Sequence, residues 1–312
     1  MAAAPGRDPS RDRLAGYAAA AAIVLIWSGF IVVSRAGARG SLGPFDLVAL
    51  RVAVSAAILL PVYLSRRLWR APPGEALWLT LTAGIGYGVL AYSGFVSAPA
   101  AHGAVLLPGA LPFSTALLAV VLLGERVTRA RAFALALIAA GIAAVGWHGF
   151  AGDAQGAWRG DLLFLCASTA WALYTVLVRK WRWRAIDATA TIAVLAAAAF
   201  LPIYALALPS RIADAPLAEV LFQGFYQGVL AVVVAGIAYT RAVETLGPLA
   251  TTSITAIVPA TAALAAWPIL GEPLSALALG GVALVSLGML AGVRASRTPA
   301  IPAARHAARR GS

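Results

Sequence analysis

Aromatic side chains inside long apolar segments are the residues of this chain best suited to binding chemistry. Trp27 and Trp171 lie near the middle of two such segments, and an indole ring stacks on apolar or aromatic molecules while its N–H donates one hydrogen bond. Tyr92 and Tyr239 lie near the ends of two others, where a hydroxyl either contacts a carboxylate or amine or marks the level of lipid headgroups. We predict that the two tryptophans line a shared cavity, with ordinary side-chain packing as the alternative.

Two ionisable side chains accompany this aromatic set. Arg51 is the one fixed charge clearly inside an apolar segment. Facing inward it would attract a carboxylate, whereas snorkelling would carry its charge to the end of the segment. His102 opens another segment, where it either binds substrate or a proton, or caps a helix at headgroup level. Tyr87, within GIGYG, and Tyr174 complete the predicted substrate-binding residues.

The composition places these residues in a membrane protein. Apolar residues make up 61% of the 312 residues and charged residues 12%, with a mean hydropathy of +0.86, whereas about a quarter of an ordinary globular domain is charged. The net charge of +12 comes from short basic clusters between apolar blocks, a distribution that indicates membrane topology rather than nucleic-acid binding. The single cysteine, Cys166, excludes a disulfide within the chain and is expected to be a small buried hydrophobe.

The sequence lacks the usual motifs of enzymes and ATP-driven pumps. It contains no Walker A loop, no HExxH pair and no GxSxG elbow. We therefore expect neither an enzyme nor a bound cofactor or metal. No apolar segment carries an acidic residue clearly at its centre, so a proton relay of membrane carboxylates is not predicted.

Apolar blocks about twenty residues long, the length that a helix needs to cross a bilayer, occur ten times. Their approximate bounds are 14–35, 44–64, 75–97, 101–123, 129–148, 159–179, 187–208, 218–241, 248–270 and 275–293. With the N-terminus inside, 19 of the 24 Lys and Arg residues fall on the inner side and four on the outer side. This bias predicts an even number of transmembrane helices, with both termini in the cytoplasm.

One stretch of the chain occurs twice, at a constant offset of 147 residues. The repeated residues are Pro112, Gly124, Glu125 and Gly141 in the first copy, and Pro259, Gly271, Glu272 and Gly288 in the second. Each proline is expected to kink its helix, either as a gating hinge or as a plain bend. Each Gly-Glu pair is expected to form a corner at which the carboxylate caps the next helix. Because each copy holds five spans, an odd number, the second copy must enter the membrane inverted.

The predicted fold is all-α and integral to the membrane, with ten transmembrane helices forming two inverted five-helix repeats around a central cavity. The first repeat covers 14–148 and the second 159–293, and a linker at 149–158 joins them. Cytoplasmic tails at 1–13 and 294–312 flank the repeats. Inverted repeats are typical of secondary transporters, which bind substrate near the midplane between the halves.

In these features the chain resembles the EamA family of the drug/metabolite transporter superfamily. The resemblance rests on the ten spans, the two repeats, the Gly-Glu corners, and Trp27 and Trp171 in the first helix of each repeat. The aromatic-rich inner helices are most similar to those of YddG-type amino-acid exporters. The resemblance implies efflux of aromatic and other amino acids and related metabolites by alternating access across a bacterial inner membrane.

The expected mechanism is facilitated, downhill export, with proton coupling through His102 as the alternative. A proton-coupled exporter of drugs or sugar derivatives is the rival function, and an integral-membrane enzyme is less favoured. The expected partners are a small-molecule substrate and the lipid bilayer, and not nucleic acid. Gly288 and Gly292 form a small-xxx-small pair, which serves packing within the chain as readily as dimerisation, and a monomer is expected.

Overall fold

A computed structural model describes residues 9–125, 127–151 and 156–295 of the protein. In this part of the chain ten helices are long and apolar enough to cross a membrane, and no strand occurs. The helices are α1 (Asp12–Arg39), α2 (Pro44–Ser65), α3 (Pro73–Ser97), α4 (Ala100–Leu123), α5 (Arg129–Phe150), α6 (Trp158–Trp181), α7 (Ala185–Ala207), α8 (Leu217–Leu246), α9 (Ala250–Leu270) and α10 (Ala276–Ala295). They confirm the predicted all-α membrane fold.

Parts of the predicted organisation lie outside the described residues. These parts are most of both tails, residues 152–155 of the linker, and Arg126 of the basic cluster after Glu125. The described connections between helices are short, so that successive helices run antiparallel. Since each repeat holds five helices, α6 begins at the opposite end of the bundle from α1.

The inversion is visible where equivalent helices cross. α2 packs against α7, α4 against α9 and α5 against α10, so that each contacts its own equivalent. At the α5–α10 crossing, a Cβ added at Gly141 would lie 2.7 Å from the carbonyl oxygen of Gly281, and one added at Gly288 would lie 2.9 Å from that of Ala134. Because Gly281 is the repeat equivalent of Ala134, the same contact is made twice. The two repeats are therefore related by a pseudo-twofold axis.

α3 and α8 are widened at equivalent positions. Each contains a π-helical stretch, Thr80–Gly86 in α3 and Phe225–Val234 in α8, and the two overlap when the offset of the repeat is applied. π-Helical turns interrupt the regular hydrogen bonding of an α-helix and are frequent at functional sites. The widening is thus a property of the repeat unit rather than of one helix.

The two repeat-related prolines lie in different local structure. Pro112 lies inside α4, which is helical throughout. α9 is interrupted, since one helical segment ends at Thr255 and the next begins at Val258. Pro259 therefore occupies the first turn of the second segment, where no backbone N–H is needed. The prediction that Pro259 kinks a continuous helix is therefore wrong, because the helix is interrupted before the proline.

The core of the bundle lies largely around α3, α4 and α6, where Tyr92, Phe95 and Phe164 are fully buried. Many large apolar side chains are exposed on the outside of the bundle, as a surface in contact with lipid requires. Cys166 is also exposed, which corrects the expectation that it is buried. In a membrane protein a small apolar side chain suits the lipid-facing surface as well as the core.

Candidate functional site

A small cavity of about 60 Å³ lies between α2, α3, α6, α7 and α8. Its walls include three of the predicted substrate-binding residues, Arg51, Trp171 and Tyr174. The two π-helical stretches contribute Ala83 from α3 and Val232 from α8. Small-molecule pockets usually measure about 300 to 1,000 Å³. The cavity is therefore smaller than a typical small-molecule pocket.

Arg51 faces the interior and is 9% exposed. Its guanidinium carbon lies 5.8 Å from the centre of the Phe30 ring and 5.9 Å from that of the Tyr87 ring, distances at which a cation is attracted to an aromatic face. No carboxylate of the described residues pairs with it. Because a buried charge without a counter-ion is unfavourable, this position favours an anion that comes from outside the chain.

Aromatic rings from α1, α3 and α6 frame this arginine. Tyr87 packs on Trp171 with ring centres 4.8 Å apart, and Trp171 packs on Tyr174 at 5.3 Å. Phe30 continues the cluster to Tyr87 at 6.4 Å and to Tyr92 at 6.1 Å. A cation beside several ring faces and edges can hold and orient a molecule that carries both a carboxylate and an aromatic group.

Trp27 and Tyr239 form a separate aromatic pair between α1 and α8. Their rings are stacked with centres 5.8 Å apart, and both residues are half-buried. Neither is among the residues described as lining the cavity in this conformation. The structure thus brings Trp171 to the cavity and places its repeat equivalent, Trp27, in a different contact.

A buried amide network on α8 is absent from the sequence-based predictions. Gln227 accepts a hydrogen bond from the Tyr92 hydroxyl at 3.0 Å and donates to Ser34 Oγ and to Gln223 Oε1, both at 3.2 Å. Gln223 in turn donates to the backbone carbonyl of Val33 at 3.0 Å. Tyr92 therefore uses its hydroxyl inside the protein, away from the headgroups. The available signal was two glutamines four residues apart in an apolar segment, which a helix places on one face.

His102 is fully buried in the first turn of α4. Its Nδ1 lies 2.7 Å from Oδ1 of Asp161 on α6, and its Nε2 lies 2.9 Å from Nδ1 of His148 on α5. His102 is therefore part of a polar chain that joins three helices, and not a surface cap. Asp161 and His148 are missing from the sequence-based site, because no spacing along the chain indicates that these helices meet.

The Gly271-Glu272 corner closes one end of the bundle, which we call the Glu272 end. Glu272 accepts hydrogen bonds from Arg35 at 2.7 Å, from Arg39 at 3.2 Å and from the backbone N–H of Ala100 at 2.7 Å. Arg35 also donates to two backbone carbonyls in the last turn of α3. The side chains of Arg35 and Glu272 are only 10% and 13% exposed. The network joins α1, α3 and α4 to the connection between α9 and α10.

The Gly124-Glu125 corner lies at the opposite end, which we call the Glu125 end. Glu125 pairs with Arg179, the repeat equivalent of Arg35, and lies 3.8 Å from Arg131. The side chains of Glu125 and Arg179 are 34% and 59% exposed. Solvent screens a pair of this kind, which contributes about 1 kcal/mol at most.

Both corners require a correction to the sequence-based prediction. Gly124 and Gly271 end their helices with left-handed φ angles of 68° and 66°, the geometry that favours glycine. The carboxylates that follow do not cap the next helix in the described structure. Glu272 caps α4 instead, and Glu125 contacts arginine side chains. Each turn directs its glutamate to other helices in the bundle.

The chemistry available at the cavity is that of binding. No group of three or more His, Cys, Asp or Glu side chains in the described residues could hold a metal ion. The walls offer one cation, hydroxyl groups and aromatic rings. Such a set recognises an anionic or zwitterionic molecule by charge and by ring contacts.

The model of the EamA-like transporter family matches residues 14–147 and again 158–293. These two matches coincide with the two structural repeats and together cover most of the chain. A solved structure described as "Crystal structure of protein" is 21% identical with a TM-score of 0.63, over 93% of this chain and 99% of that chain. At this identity the likeness shows the fold alone. None of the curated proteins matches the chain. The matched repeats show that the chain belongs to the EamA-like transporter family, a family of membrane transporters within the drug/metabolite transporter superfamily.

Proposed function

We propose that the protein exports amino acids, aromatic ones among them, and related metabolites across the bacterial inner membrane by alternating access. The observation that carries this proposal is Arg51, a buried cation that lines the cavity without a counter-ion among the described residues. A substrate carboxylate would supply the missing charge. The resemblance to YddG-type amino-acid exporters supports the same class of substrate.

The surroundings of Arg51 favour an aromatic amino acid over the rival substrates. Trp171 and Tyr87 offer ring surfaces beside the guanidinium, so that a ring and a carboxylate on one small molecule can both be accommodated. A cationic drug would be repelled by the arginine. A sugar derivative would need more hydrogen-bonding groups than this mainly apolar wall provides.

The difference between the two ends of the bundle supports alternating access. A buried network holds the Glu272 end together, whereas the Glu125 end is joined by an exposed ion pair. The distribution of Lys and Arg predicts that the Glu272 end faces outward. We therefore propose that this conformation is closed to the outside and that substrate reaches the cavity from the cytoplasm.

Transport of radiolabelled phenylalanine in proteoliposomes tests the proposal. In a counterflow assay, in which unlabelled substrate inside exchanges for labelled substrate outside, Arg51→Gln should reduce the rate about tenfold to a hundredfold, since a charge-assisted contact to a carboxylate contributes about 1.5–3 kcal/mol. Arg70→Gln, at an exposed arginine of the α2–α3 connection, is the matched control and should change little. No flux of any amino acid, or equal loss in both variants, would contradict the proposed substrate.

A further inference from the structure

The chain of His102, Asp161 and His148 lies outside the proposed substrate cavity and has no assigned role. His102 is fully buried and Asp161 is 5% exposed, whereas His148 is half-buried. The three side chains come from α4, α6 and α5 and lie at the Glu272 end. A buried carboxylate–imidazole–imidazole chain with one member near solvent has the parts needed to take up a proton.

One carboxylate oxygen of Asp161 makes no hydrogen bond in the described structure. Its Oδ1 contacts His102, while its Oδ2 is buried without a hydrogen-bond partner among the described residues. Gly149 leaves the room for this oxygen, since a Cβ there would lie 2.5 Å from Oδ2 and 3.2 Å from Cε1 of His102. A buried carboxylate oxygen without a donor carries an unfavourable desolvation cost.

The cations at this end of the bundle contact other groups. On α6, Arg159 lies over the Trp158 ring at 5.5 Å. On α1, Arg35 pairs with Glu272, which reaches the first turn of α4. The parts of α3, α9 and α10 at this end contain no charged residue. Asp153, between α5 and α6, lies outside the described residues.

The His102–Asp161–His148 chain can hold an additional proton without losing either of its two hydrogen bonds. With Asp161 ionised, Nδ1–H of His102 donates to the carboxylate, and Nε2 accepts from Nδ1–H of His148. When His148 takes up a proton, its Nδ1 proton can pass to Nε2 of His102, which reverses that hydrogen bond. The buried net charge then changes from −1 to zero. In a low-dielectric site this neutralisation is a substantial change in energy.

Two features connect the His102–Asp161–His148 chain to the cavity and to the ion pair at the Glu272 end. Asp161 and Trp171 lie on α6 at helical spacing, ten residues or about 15 Å apart, so that one helix carries both the acid and a wall of the cavity. On α4, the backbone N–H of Ala100, two residues before His102, donates to Glu272 at 2.7 Å. Opening the Glu272 end must break that bond, which disturbs the turn that holds His102.

We propose that the His102–Asp161–His148 chain binds the proton that is exchanged for each exported substrate. A proton taken up at the open Glu272 end would place a His102 imidazolium beside the Asp161 carboxylate, and its release on the other side would complete the cycle. From the sequence, downhill export is favoured over proton coupling through His102. The contact between His102 and the buried carboxylate of Asp161 leads us to favour proton coupling instead. The proposal rests on the proposed export function for its direction, but not for the binding of the proton.

Phenylalanine uptake into proteoliposomes with an imposed pH gradient tests the exchange. Vesicles that are acid inside by about one pH unit should accumulate phenylalanine up to about tenfold, the ratio that one exchanged proton supports. Asp161→Asn and His102→Gln should abolish the accumulation and keep counterflow without a gradient within about threefold of the unchanged protein. His306→Gln, at the third histidine of the sequence, is the matched control and should behave like the unchanged protein.

Several outcomes would overturn the exchange. They are counterflow without accumulation, accumulation that survives in Asp161→Asn, and accumulation in vesicles that are alkaline inside. If both polar variants fail to fold, Gly149→Ala should reduce the accumulation. Gly146→Ala, at a glycine with nothing within 4 Å of an added Cβ, should not.

Infrared difference spectroscopy separates proton binding from substrate identity. Between about pH 5 and about pH 8, the range in which histidine changes its charge, the purified protein should show a protonation change that Asp161→Asn and His102→Gln both remove. Absence of that change would overturn the proton site whatever the substrate. Its presence together with no flux of any amino acid would contradict the proposed function alone.

Discussion

The crossing of α5 and α10 and the two Gly-Glu corners come from the same repeated stretch of sequence, but they differ in symmetry. At the crossing, Gly141 and Gly288 make equivalent close contacts, with added Cβ atoms 2.7 Å and 2.9 Å from equivalent carbonyl oxygens. At the corners the equivalent ion pairs differ. Arg35 and Glu272 are largely buried in a network with two other helices, whereas Arg179 is exposed and Glu125 is half-buried.

This difference indicates which parts of the molecule move. In an inverted-repeat transporter the two halves exchange their conformations during the cycle. A contact that is already symmetric can stay the same in both states, whereas an asymmetric one must change. We infer that α5 and α10 form a fixed support, and that the two corners alternate between the buried and the exposed arrangement.

The largest predicted effect concerns the sides of the membrane on which the corners lie. In a Cys166→Ala background, Pro273→Cys should react in intact cells with a membrane-impermeant maleimide, and Val127→Cys should react only after permeabilisation. Both positions are exposed, so the difference should be all-or-none. Labelling of both from the same side would contradict the inversion on which the comparison depends.

Substitutions at the α5–α10 crossing should have equal effects on the two sides of the axis. Gly141→Ala and Gly288→Ala each force a methyl group into a space of less than 3 Å, and each should lower the free energy of unfolding by about 2 kcal/mol. The change can be measured by denaturation in mixed micelles. Gly280→Ala is the control, because nothing lies within 4 Å of an added Cβ there. Clearly unequal losses at Gly141 and Gly288 would show that the crossing is not symmetric.

Substitutions at the corners should instead have unequal effects. Glu272→Gln removes the charge that Arg35 and the N–H of Ala100 contact, which should raise the alkylation rate of a cysteine at the buried Ser34 by about tenfold, the equivalent of about 1.4 kcal/mol. Glu125→Gln should change that rate by less than about threefold, since its ion pair is exposed.

The double variant Arg35→Glu/Glu272→Arg serves as the control for the corner experiment. Its reversed ion pair should bring the alkylation rate part of the way back toward the starting value. If Glu125→Gln had the larger effect, the Glu125 end would be the closed one.

The repeat-related tryptophans should show a smaller difference of the same kind. Trp171→Ala should slow phenylalanine counterflow about fivefold, because Trp171 lines the cavity and an aromatic contact contributes about 0.5–1.5 kcal/mol beyond the area that it buries. Trp27→Ala should have less effect on phenylalanine, and alanine counterflow should change little in either variant. Equal effects on phenylalanine and alanine would contradict direct stacking on the substrate.

Much of the architecture can be predicted from the sequence. The length and hydropathy of the apolar segments are sufficient to predict ten transmembrane helices, because a bilayer sets a minimum length for an apolar helix that crosses it. The constant offset of 147 residues, as between Gly141 and Gly288, is sufficient to identify the repeat. The arginine inside an apolar segment is likewise visible, because ionisable residues are rare inside membranes.

Other features depend on how helices dock, which hydropathy does not reveal. In a membrane the lipid-facing surface is as apolar as the core, so that the exposure of Cys166 could not be distinguished from burial. His102 and Asp161 lie 59 positions apart, and their contact requires the packing of α4 against α6. The partners of Glu272 belong to three other helices. The repeat alone does not predict which residues of those helices lie opposite Glu272.

Cross-linking tests the fixed support and the alternating corners most directly. A Cβ at Gly292 lies 3.7 Å from that of Ala134, a separation that suits a disulfide. In the Cys166→Ala background, the oxidised Ala134→Cys/Gly292→Cys protein should carry out counterflow at nearly the rate of its reduced form. An Arg35→Cys/Glu272→Cys protein bridged by a reducible bifunctional thiol reagent should stop and recover on reduction. Arrest by the α5–α10 disulfide, with continued transport by the bridged corner, would contradict the account.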